Sequence, residues 1–546
     1  MAFRKFRQKK HLVPVLFFAA FLVLGLVIVG DYGISWDEEW QHTNAEVSAK
    51  YVNEWFPFTD EKITDWNLES YWNRHHGVLF TLSVYFLERG LGYDLENNYR
   101  EIHLLRHTLV FLLFWLACIF VYKIGRLRFE DWRWALAGSL LLILSPRIFG
   151  HAFFNPKDIV VLAFYVFSTY TLLRILEDKK WYWGILHALT CALLISSRIA
   201  GIIVPALTLL FVIADLINEG FSRKLIRQYG VILVLFLPFL FGFTVGFWPL
   251  LWEQPLVAFA EVFEAMSAYA WEGKVLLHGQ FFPADSIPLY YIPLWMSITT
   301  PVLYTFFGMM ALLLVLWQTL KSLANFRLFR SDNHRADLLL MALFLGPPLA
   351  VIYKEAVVYD GWRHLYFVYP SFLLLALAGF RQLYGWLDAR KYSRVWNGIK
   401  KGILVLAGIS LLYTFWFMIR FHPHQNVYFA EFMQTRDQLG HYELDYWGLS
   451  YKQGFEALAR LDARDTIRVA YASYPAELNW RYLPEELKKR FVLVKEVEAA
   501  DYYLSNYRHW SYGMDQYQQR KGAYAGEEVF GICVGGTKVI GGYRVE

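Results

Sequence analysis

The amino-acid sequence predicts a polytopic α-helical membrane protein with about 11 transmembrane helices. Hydrophobic residues make up 56% of the 546-residue chain and aromatic residues 19%, which is too apolar for a soluble protein of this length. Lysine and arginine residues crowd into every second gap between long apolar segments, as the positive-inside rule describes for multi-pass proteins. The net charge of +5 comes from those gaps, so no nucleic-acid partner is predicted.

Each apolar segment approaches the length that crosses a bilayer, about 20 residues. The expected spans are 12–30, 102–122, 134–149, 159–176, 181–197, 199–217, 229–250, 292–318, 337–357, 364–380 and 402–419. The basic gaps, among them Lys123 to Arg133 and Lys321 to Arg335, then lie in the cytoplasm together with the N-terminus. An odd number of spans places the C-terminus outside.

Two outer loops are too long to be simple connectors. In the loop 31–101, apolar residues recur at helical spacing around Trp40 to Trp55 and around Val78 to Arg89. We expect both stretches to be amphipathic helices on the outer membrane surface. The second loop, 251–291, predicts a helix followed by a turn. With these loops, residues 1–419 form the predicted transmembrane domain.

Residues 420–546 are predicted to form a small extracytoplasmic α/β domain. The expected strands are Thr466–Ala472, Phe491–Val497, Tyr502–Ser505 and Lys538–Val545. The expected helices are Lys452–Arg464 and Glu477–Lys489. Outer loops and an outer domain are the parts of such a protein that are free to carry out chemistry on the outer face.

Two adjacent acids, Asp37 and Glu38, directly follow the first span. Ser35 and Glu38 have the spacing of a capping box, and acids also suit the positive end of a helix dipole. A purely structural role is therefore one interpretation. If Glu38 folds back onto the cap, Asp37 is left free to point into a cavity.

A second polar motif, Asn155-Pro-Lys-Asp158, lies at the outer end of the third and fourth spans, close to His151. Pro156 can start the fourth helix with Asn155 as its cap, which is the structural interpretation. Functionally, the motif brings a carboxylate and a cation to the membrane level of Asp37. Charges at helix ends can also extend to the interface without a further role.

A third motif, Tyr359-Asp-Gly-Trp-Arg-His364, opens the tenth span at its outer end. Arg363 breaks the positive-inside pattern here, and Arg198 breaks it between the fifth and sixth spans. An outer cavity that holds carboxylates and several cations suits an acceptor hydroxyl together with an anionic phosphate donor.

The order of these motifs resembles membrane glycosyltransferases of the GT-C type. The closer likeness is to the branch that contains protein O-mannosyltransferases and lipid A aminoarabinose transferases. The segment from Trp362 to Ala376 looks like that branch's Arg-Tyr-Leu-x-Pro segment. His422 to Phe429 and Leu444 to Ser450 resemble stretches in bacterial members of this branch. One departure is His75-His76-Gly77, where the branch has His-Pro-Pro.

The resemblance implies a polyprenyl-phosphate-linked sugar donor and an inverting transfer on the outer face of a membrane, which we expect to be a bacterial inner membrane. It implies a general base at Asp37 and a supporting carboxylate at Asp158, with Glu38 as a further catalytic candidate. The implied donor-phosphate contacts are Arg363, Lys157, Arg198 and His364. The candidate substrate contacts are Trp362, Tyr359, His151 and Asn155. The acceptor is a glycan, a lipid or a protein.

No cofactor is predicted. Asp37, Glu38, Asp158, His422 and His424 offer oxygen and nitrogen ligands, but no spacing among them demands a metal, and the resembled mannosyltransferase branch does not require one. Two other function classes share this topology. One is a transporter or flippase of lipid-linked sugars, which would place charges near the bilayer midplane and show inverted repeats. The other is a membrane polysaccharide polymerase or ligase.

Overall fold

The computed structural model describes residues 2–267, 269, 271–508 and 526–545, with side chains from residue 12 onward. It is mostly helical. The helices are α1 (Ala2–Ile28), α2 (Trp36–Trp55), α3 (Leu79–Gly90), α4 (Tyr99–Phe129), α5 (Trp132–Ile143), α6 (Pro146–Phe154), α7 (Asp158–Asp178), α8 (Tyr182–Ile195), α9 (Ile203–Asn218), α10 (Arg223–Phe247), α11 (Pro255–Ser267), α12 (Tyr291–Ile298), α13 (Val302–Leu323), α14 (Asp332–Tyr353), α15 (Tyr369–Asp388), α16 (Arg394–Arg420), α17 (Tyr451–Leu461), α18 (Pro475–Tyr482) and α19 (Glu485–Lys488).

The predicted polytopic membrane fold is confirmed. Among the described residues, nine helices are long and apolar enough to cross a membrane, and a bent pair of helices adds a tenth candidate. The shorter apolar helix α8 matches the predicted span 181–197. These elements correspond one by one to the predicted segments, and the chain is an integral membrane protein. The basic side chains of residues 4–10, which support the predicted inside N-terminus, lie outside the described side chains.

The third predicted span, 134–149, is not one straight helix. The chain bends by 69° between α5 and α6. Ser145 takes an extended conformation before Pro146, which is the first residue of α6. A residue that precedes proline is disfavoured in the α conformation, whereas proline suits the first turn of a helix. The bend carries α6, with His151, toward the outer motifs.

The eighth predicted span, 292–318, is also divided. α12 ends at Ile298, and the spanning helix α13 begins at Val302. Pro301 is extended and excludes a continuous helix because its ring disfavours α geometry at the preceding residue. The amide of Val302 donates instead to the carboxylate of Glu431 at 3.0 Å.

The first outer loop contains the two expected helices, α2 and α3. They pack together with α11 of the second outer loop, and Ala45, Ala49, Leu82 and Val262 are buried between them. Their position on the membrane surface stays a prediction. After α11, the second loop forms the hairpin of β1 (Lys274–Leu277) and β2 (Gln280–Pro283).

The C-terminal region contains a five-stranded sheet in the order β4-β3-β5-β7-β6. Its strands are β3 (Ile467–Tyr471), β4 (Phe491–Leu493), β5 (Tyr502–Ser505), β6 (Glu528–Val534) and β7 (Thr537–Arg544). β3 runs parallel to β4 and β5, whereas β7 is antiparallel to β5 and β6. Helix α17 buries Phe455 and Leu458 in the same core as Val469.

Three local features of this region differ from the sequence prediction. β4 ends at Leu493, four residues before the predicted end at Val497. The prediction does not include β6, whose pairing with β7 is irregular. The predicted helix Glu477–Lys489 is divided into α18 and α19 at Leu483 and Pro484, where proline excludes a continuous helix. Residues 509–525 and 546 of the predicted domain lie outside the described residues, and the boundary at residue 420 stays a prediction.

Candidate active site

Arg363 lies among three carboxylates from separate parts of the chain. Its guanidinium nitrogens are 3.5 Å from Asp37, 3.3 Å from Asp158 and 3.4 Å from Asp360. The arginine is buried, with 3% of its surface exposed. The structure therefore brings the acids of three separate predicted motifs to a single cation.

Aromatic rings complete the surroundings of Arg363. The guanidinium carbon lies 4.9 Å from the ring centroid of Tyr359 and 4.9 Å from that of Trp447. Cations within about 6 Å of a ring face are attracted by its quadrupole. Rings and carboxylates together hold the planar guanidinium in one orientation.

Asp158 is held by the first turn of α7. Asn155 accepts the backbone N–H of Asp158 at 2.8 Å, and its amide nitrogen donates to the Asp158 carboxylate at 2.9 Å. The other carboxylate oxygen lies 2.8 Å from Arg198. Asp158 is buried, so the two arginines compensate the cost of placing its charge there. Asn155 thus binds both the backbone at the start of α7 and the carboxylate that pairs with the two arginines.

Asp37 and Glu38 point to different partners. The backbone N–H of Ser35 donates to Glu38 Oε1 at 2.7 Å, as in the predicted capping box, and Glu38 Oε2 is 3.0 Å from His107 Nε2. Glu38 is thus buried and held at the base of α2. The Asp37 side chain is 35% exposed and faces Arg363.

The electrostatic surroundings of Asp37 shift its proton affinity. Burial raises the pKa of Asp37, Arg363 opposes that rise, and Asp360 and Asp158 add to it. A carboxylate with a raised pKa is a stronger base than an exposed aspartate while it is ionised.

The C-terminal region holds the first turn of α2 in place. Asn479 of α18 accepts the backbone N–H of Ile34 at 2.9 Å and donates to the carbonyl of Ile34 at 3.0 Å. The backbone N–H of Trp36 donates to the carbonyl of Trp447 at 3.1 Å. Three backbone contacts next to Asp37 thus depend on residues far along the chain.

Lys157 presents a cation without a carboxylate of its own. Its ammonium is buried and has no hydrogen-bond partner among the described residues. It lines a narrow cleft of about 10 Å³ whose other walls include Gly77, Phe80, Val160 and Ser197. Burial and the nearby charge of Arg198 lower the pKa of Lys157 to about 7. An unpartnered ammonium beside apolar side chains suits an anionic head on an apolar chain.

Arg198, His364 and Tyr359 surround the same centre. Arg198 donates to the backbone carbonyl of His364 at 3.0 Å while it pairs with Asp158. The rings of Tyr359 and His364 meet edge to face at 4.7 Å, and Tyr359 stacks on Trp271 at 4.2 Å. Burial raises the pKa of the Tyr359 hydroxyl, so it stays protonated.

Two predicted substrate contacts lie deeper. His151 is buried, with its Nε2 3.1 Å from the Tyr446 hydroxyl and its Nδ1 3.1 Å from the amide of Asn155. Trp362 is buried in the core and donates to the Thr299 hydroxyl at 2.8 Å. Neither side chain is exposed.

The sequence analysis did not identify a second group of charged residues, Asp360, Arg508 and Glu443. Asp360 accepts from Arg508 at 2.9 Å, and Arg508 also lies 3.7 Å from Glu443. Asp360 stands in the motif that singled out Arg363, so its polarity was a usable signal. Nothing in the local sequence around Arg508 or Trp447 indicates a contact with Asp360 or Arg363, because these contacts exist only in the folded chain.

The acids and histidines considered as metal ligands do not converge on one point. Within the described ranges, no group of three or more His, Cys, Asp or Glu side chains is placed to hold a metal ion. His422 lies 2.8 Å from Asp31.

The family described as Dolichyl-phosphate-mannose-protein mannosyltransferase matches residues 106–241, about a quarter of the chain. The match covers α5, α6 and α7, and with them Asn155 and Lys157 between α6 and α7 and Asp158 at the start of α7. The resemblance to GT-C membrane glycosyltransferases is confirmed by this match. No curated protein sequence matches the chain significantly.

Several solved membrane proteins are similar to this chain at low identity. The apo crystal structure of the Archaeoglobus fulgidus oligosaccharyltransferase is 14% identical with a TM-score of 0.46, over 89% of this chain and 65% of that one. This chain thus spans about two thirds of the archaeal protein's length. Apo ArnT from Cupriavidus metallidurans is 13% identical with a TM-score of 0.47, over 97% of both chains. ArnT bound to undecaprenyl phosphate is 12% identical with a TM-score of 0.45, again over 97% of both chains.

Proposed function

We propose that this protein is a glycosyltransferase that moves a sugar from a polyprenyl-phosphate donor to an acceptor hydroxyl at the outer face of the membrane. The observation that carries the proposal is the pairing of the partly exposed Asp37 carboxylate with the buried Arg363 guanidinium. One group is suited to accept a proton and the other to bind a phosphate. The family match over residues 106–241 supports the same reaction class.

Asp37 has the position of a general base. As the acceptor oxygen forms its bond to the anomeric carbon, the hydroxyl proton passes to the Asp37 carboxylate, and the bond from that carbon to the phosphate oxygen breaks. Attack from the side opposite the leaving phosphate inverts the anomeric centre. Asp37 is available for this step because Glu38, not Asp37, occupies the helix cap. Asp158, paired with Arg198 and Arg363, is suited to support rather than to accept the proton.

The leaving polyprenyl phosphate gains negative charge as the bond breaks. Cations placed in advance stabilise that charge without reorganisation. Arg363 can contact the phosphate in a bidentate manner, which its planar fork favours. Lys157 is the better second candidate because its ammonium has no other partner among the described residues, whereas Arg198 already pairs with Asp158. The apolar side chains of Phe80 and Val160 lie beside Lys157 and suit contact with the start of the lipid chain.

The remaining candidates have different positions in this proposal. Tyr359 and His364 lie beside Arg363 and are suited to contact the sugar or its phosphate. His151, Asn155 and Trp362 are buried and act by positioning other groups. The acceptor is a glycan, a lipid or a protein, and the membrane is a bacterial inner membrane with the site facing outward.

The proposal is tested by incubating the purified protein with a panel of polyprenyl-phosphate sugars and candidate acceptors, and by measuring released polyprenyl phosphate. We expect release with at least one pair, strongly reduced in Asp37→Asn. Glu39→Gln is the matched control, because Glu39 lies on the same turn and its carboxylate contacts Tyr474 instead of Arg363. A protein that moves labelled lipid-linked sugar across a vesicle membrane without breaking the phosphate bond is a transporter, and that result overturns the proposal.

A further inference from the structure

A large basic cleft lies at the end of α7 opposite the candidate active site. α7 has 21 residues and is therefore about 31 Å long, from Asp158 at the outer end to Asp178 at the other. The cleft has a volume of about 640 Å³ and lies between the turn after α7 and the start of α10. It is lined by Lys179, Lys180, Trp181, Tyr182, Arg223, Lys224, Arg227, Gln228 and Val231.

Most of the cations in this cleft have no internal counter-ion. Lys179 lies 3.5 Å from Asp215. Within the described part of the chain, no carboxylate lies within 4.0 Å of the side-chain nitrogens of Lys180, Arg223, Lys224 or Arg227. Four uncompensated cations around one cavity repel each other, so an anion that enters the cleft relieves this repulsion.

Helix α10 forms one wall of the cleft, and beyond the cleft it presents an exposed apolar face. Val231, Val234 and Leu237 follow each other on α10 at a spacing close to one helical turn, and are 45%, 72% and 48% exposed. Trp181 at the rim is 56% exposed, and tryptophan and tyrosine favour the membrane interface. The basic cleft matches an anionic headgroup, and the apolar face of α10 matches acyl chains. Together they fit a phospholipid better than a soluble anion.

We propose that this cleft binds the phosphate headgroup of an anionic phospholipid, whose acyl chains lie along the exposed face of α10. Basic pockets between transmembrane helices on the cytoplasmic side are suited to such headgroups. The site is separate from the Asp37 and Arg363 centre and does not depend on the proposed transfer reaction. The recognised chemistry is a phosphate ester with a net negative charge, so the test must separate a membrane lipid from a free phosphate ester.

The test uses native mass spectrometry of the full-length protein titrated with phosphatidylglycerol or phosphatidylcholine. We expect a retained phosphatidylglycerol that phosphatidylcholine does not replace. Each basic residue near a membrane surface strengthens the attraction of anionic lipid about fivefold, so Arg223→Gln with Arg227→Gln should weaken binding about thirtyfold. Arg394→Gln with Lys401→Gln is the matched control, because both residues are exposed on α16, outside the cleft.

Three results overturn the proposal. The first is equal retention of phosphatidylglycerol by the cleft variant and by the control variant at equal thermal stability. The second is equal retention of phosphatidylcholine and phosphatidylglycerol by the wild-type protein, since the charges then make no difference. The third is displacement of the lipid by glycerol 3-phosphate at matched phosphate concentration, which would assign the cleft to a soluble phosphate ester. Loss of binding in the cleft variant alone supports the proposal.

Discussion

The guanidinium of Arg363 lies 3.5 Å from the carboxylate of Asp37, although one follows the first span and the other opens the tenth. Arg363 also contacts Asp158 and Asp360, so it is the common partner of the three acids. Two of these acids are buried, whereas Asp37 keeps about a third of its side chain exposed. Asp37 is therefore accessible to an acceptor, whereas Asp158 and Asp360 are buried beside Arg363.

Replacing Asp37 by asparagine keeps the shape of the side chain and removes its basicity. We expect turnover to fall at least about a hundredfold while donor binding stays near normal. Glu38→Gln should instead lower the free energy of unfolding by about 1 kcal/mol, as for a weakened helix cap. Steady-state kinetics of both variants measures turnover, and thermal unfolding of both measures stability. Normal turnover in Asp37→Asn with an inactive Glu38→Gln would reassign the base.

The pH dependence of kcat/KM should report the carboxylate of Asp37. Burial raises the pKa of Asp37, Arg363 opposes the rise, and Asp360 and Asp158 add to it. The base acts when deprotonated, so activity should fall as the pH drops through a value above the usual aspartate pKa of about 3.9. Asp360→Asn removes one raising charge and should move this acid limb to lower pH. An unmoved or raised limb would exclude Asp37 as the titrating group.

Arg363→Lys should weaken donor binding with the fold intact. Lysine keeps the charge but loses the planar fork, and a charged hydrogen bond contributes roughly 1.5–3 kcal/mol, so the loss should be about tenfold or more. Arg381→Lys is a matched control on α15, where the guanidinium contacts the carbonyl of Phe129. Donor affinity measured by equilibrium binding should separate the two variants. Equal affinity in both would remove Arg363 from the phosphate site.

Donor affinity should depend on pH through Lys157. Burial lowers the pKa of Lys157 to about 7, and only the protonated ammonium attracts phosphate. Affinity should therefore fall as the pH rises above about 7, by at most about tenfold per unit for one linked proton. Lys157→Arg stays charged and should flatten this dependence between pH 6 and pH 8. The same slope in wild type and variant would show that another group titrates.

The predicted topology is testable with reporter fusions. Fusions after residues 128, 225 and 392 should report the cytoplasm, since they follow basic gaps between spans. A fusion after residue 546 should report the outside. A cytoplasmic signal from the C-terminal fusion would place the candidate site on the wrong face for an external acceptor.

The sequence alone determined the features that depend on local physics. Hydrophobic length identifies the membrane spans, because a bilayer requires about 20 apolar residues whatever surrounds them. The contact of Glu38 with the backbone of Ser35 follows from their spacing within one helical turn. Asn155 accepts the backbone N–H of Asp158, also within one turn, but α7 begins at Asp158 with Lys157 as its cap residue and not at Pro156 as predicted.

Only the tertiary structure decided which of these residues form one site. The approach of Asp37, Asp158, Asp360 and Arg363 depends on the bend at Ser145 and on the hydrogen bonds of Asn479 in α18 to Ile34 just before α2, which no local pattern encodes. The freedom of Lys157, in contrast to the pairing of Arg198, likewise depends on neighbours distant in sequence. Local spacing determines helices and caps because their hydrogen bonds join nearby residues. Contacts between distant segments arise from the summed packing of the whole chain, so the site became visible only in the folded protein.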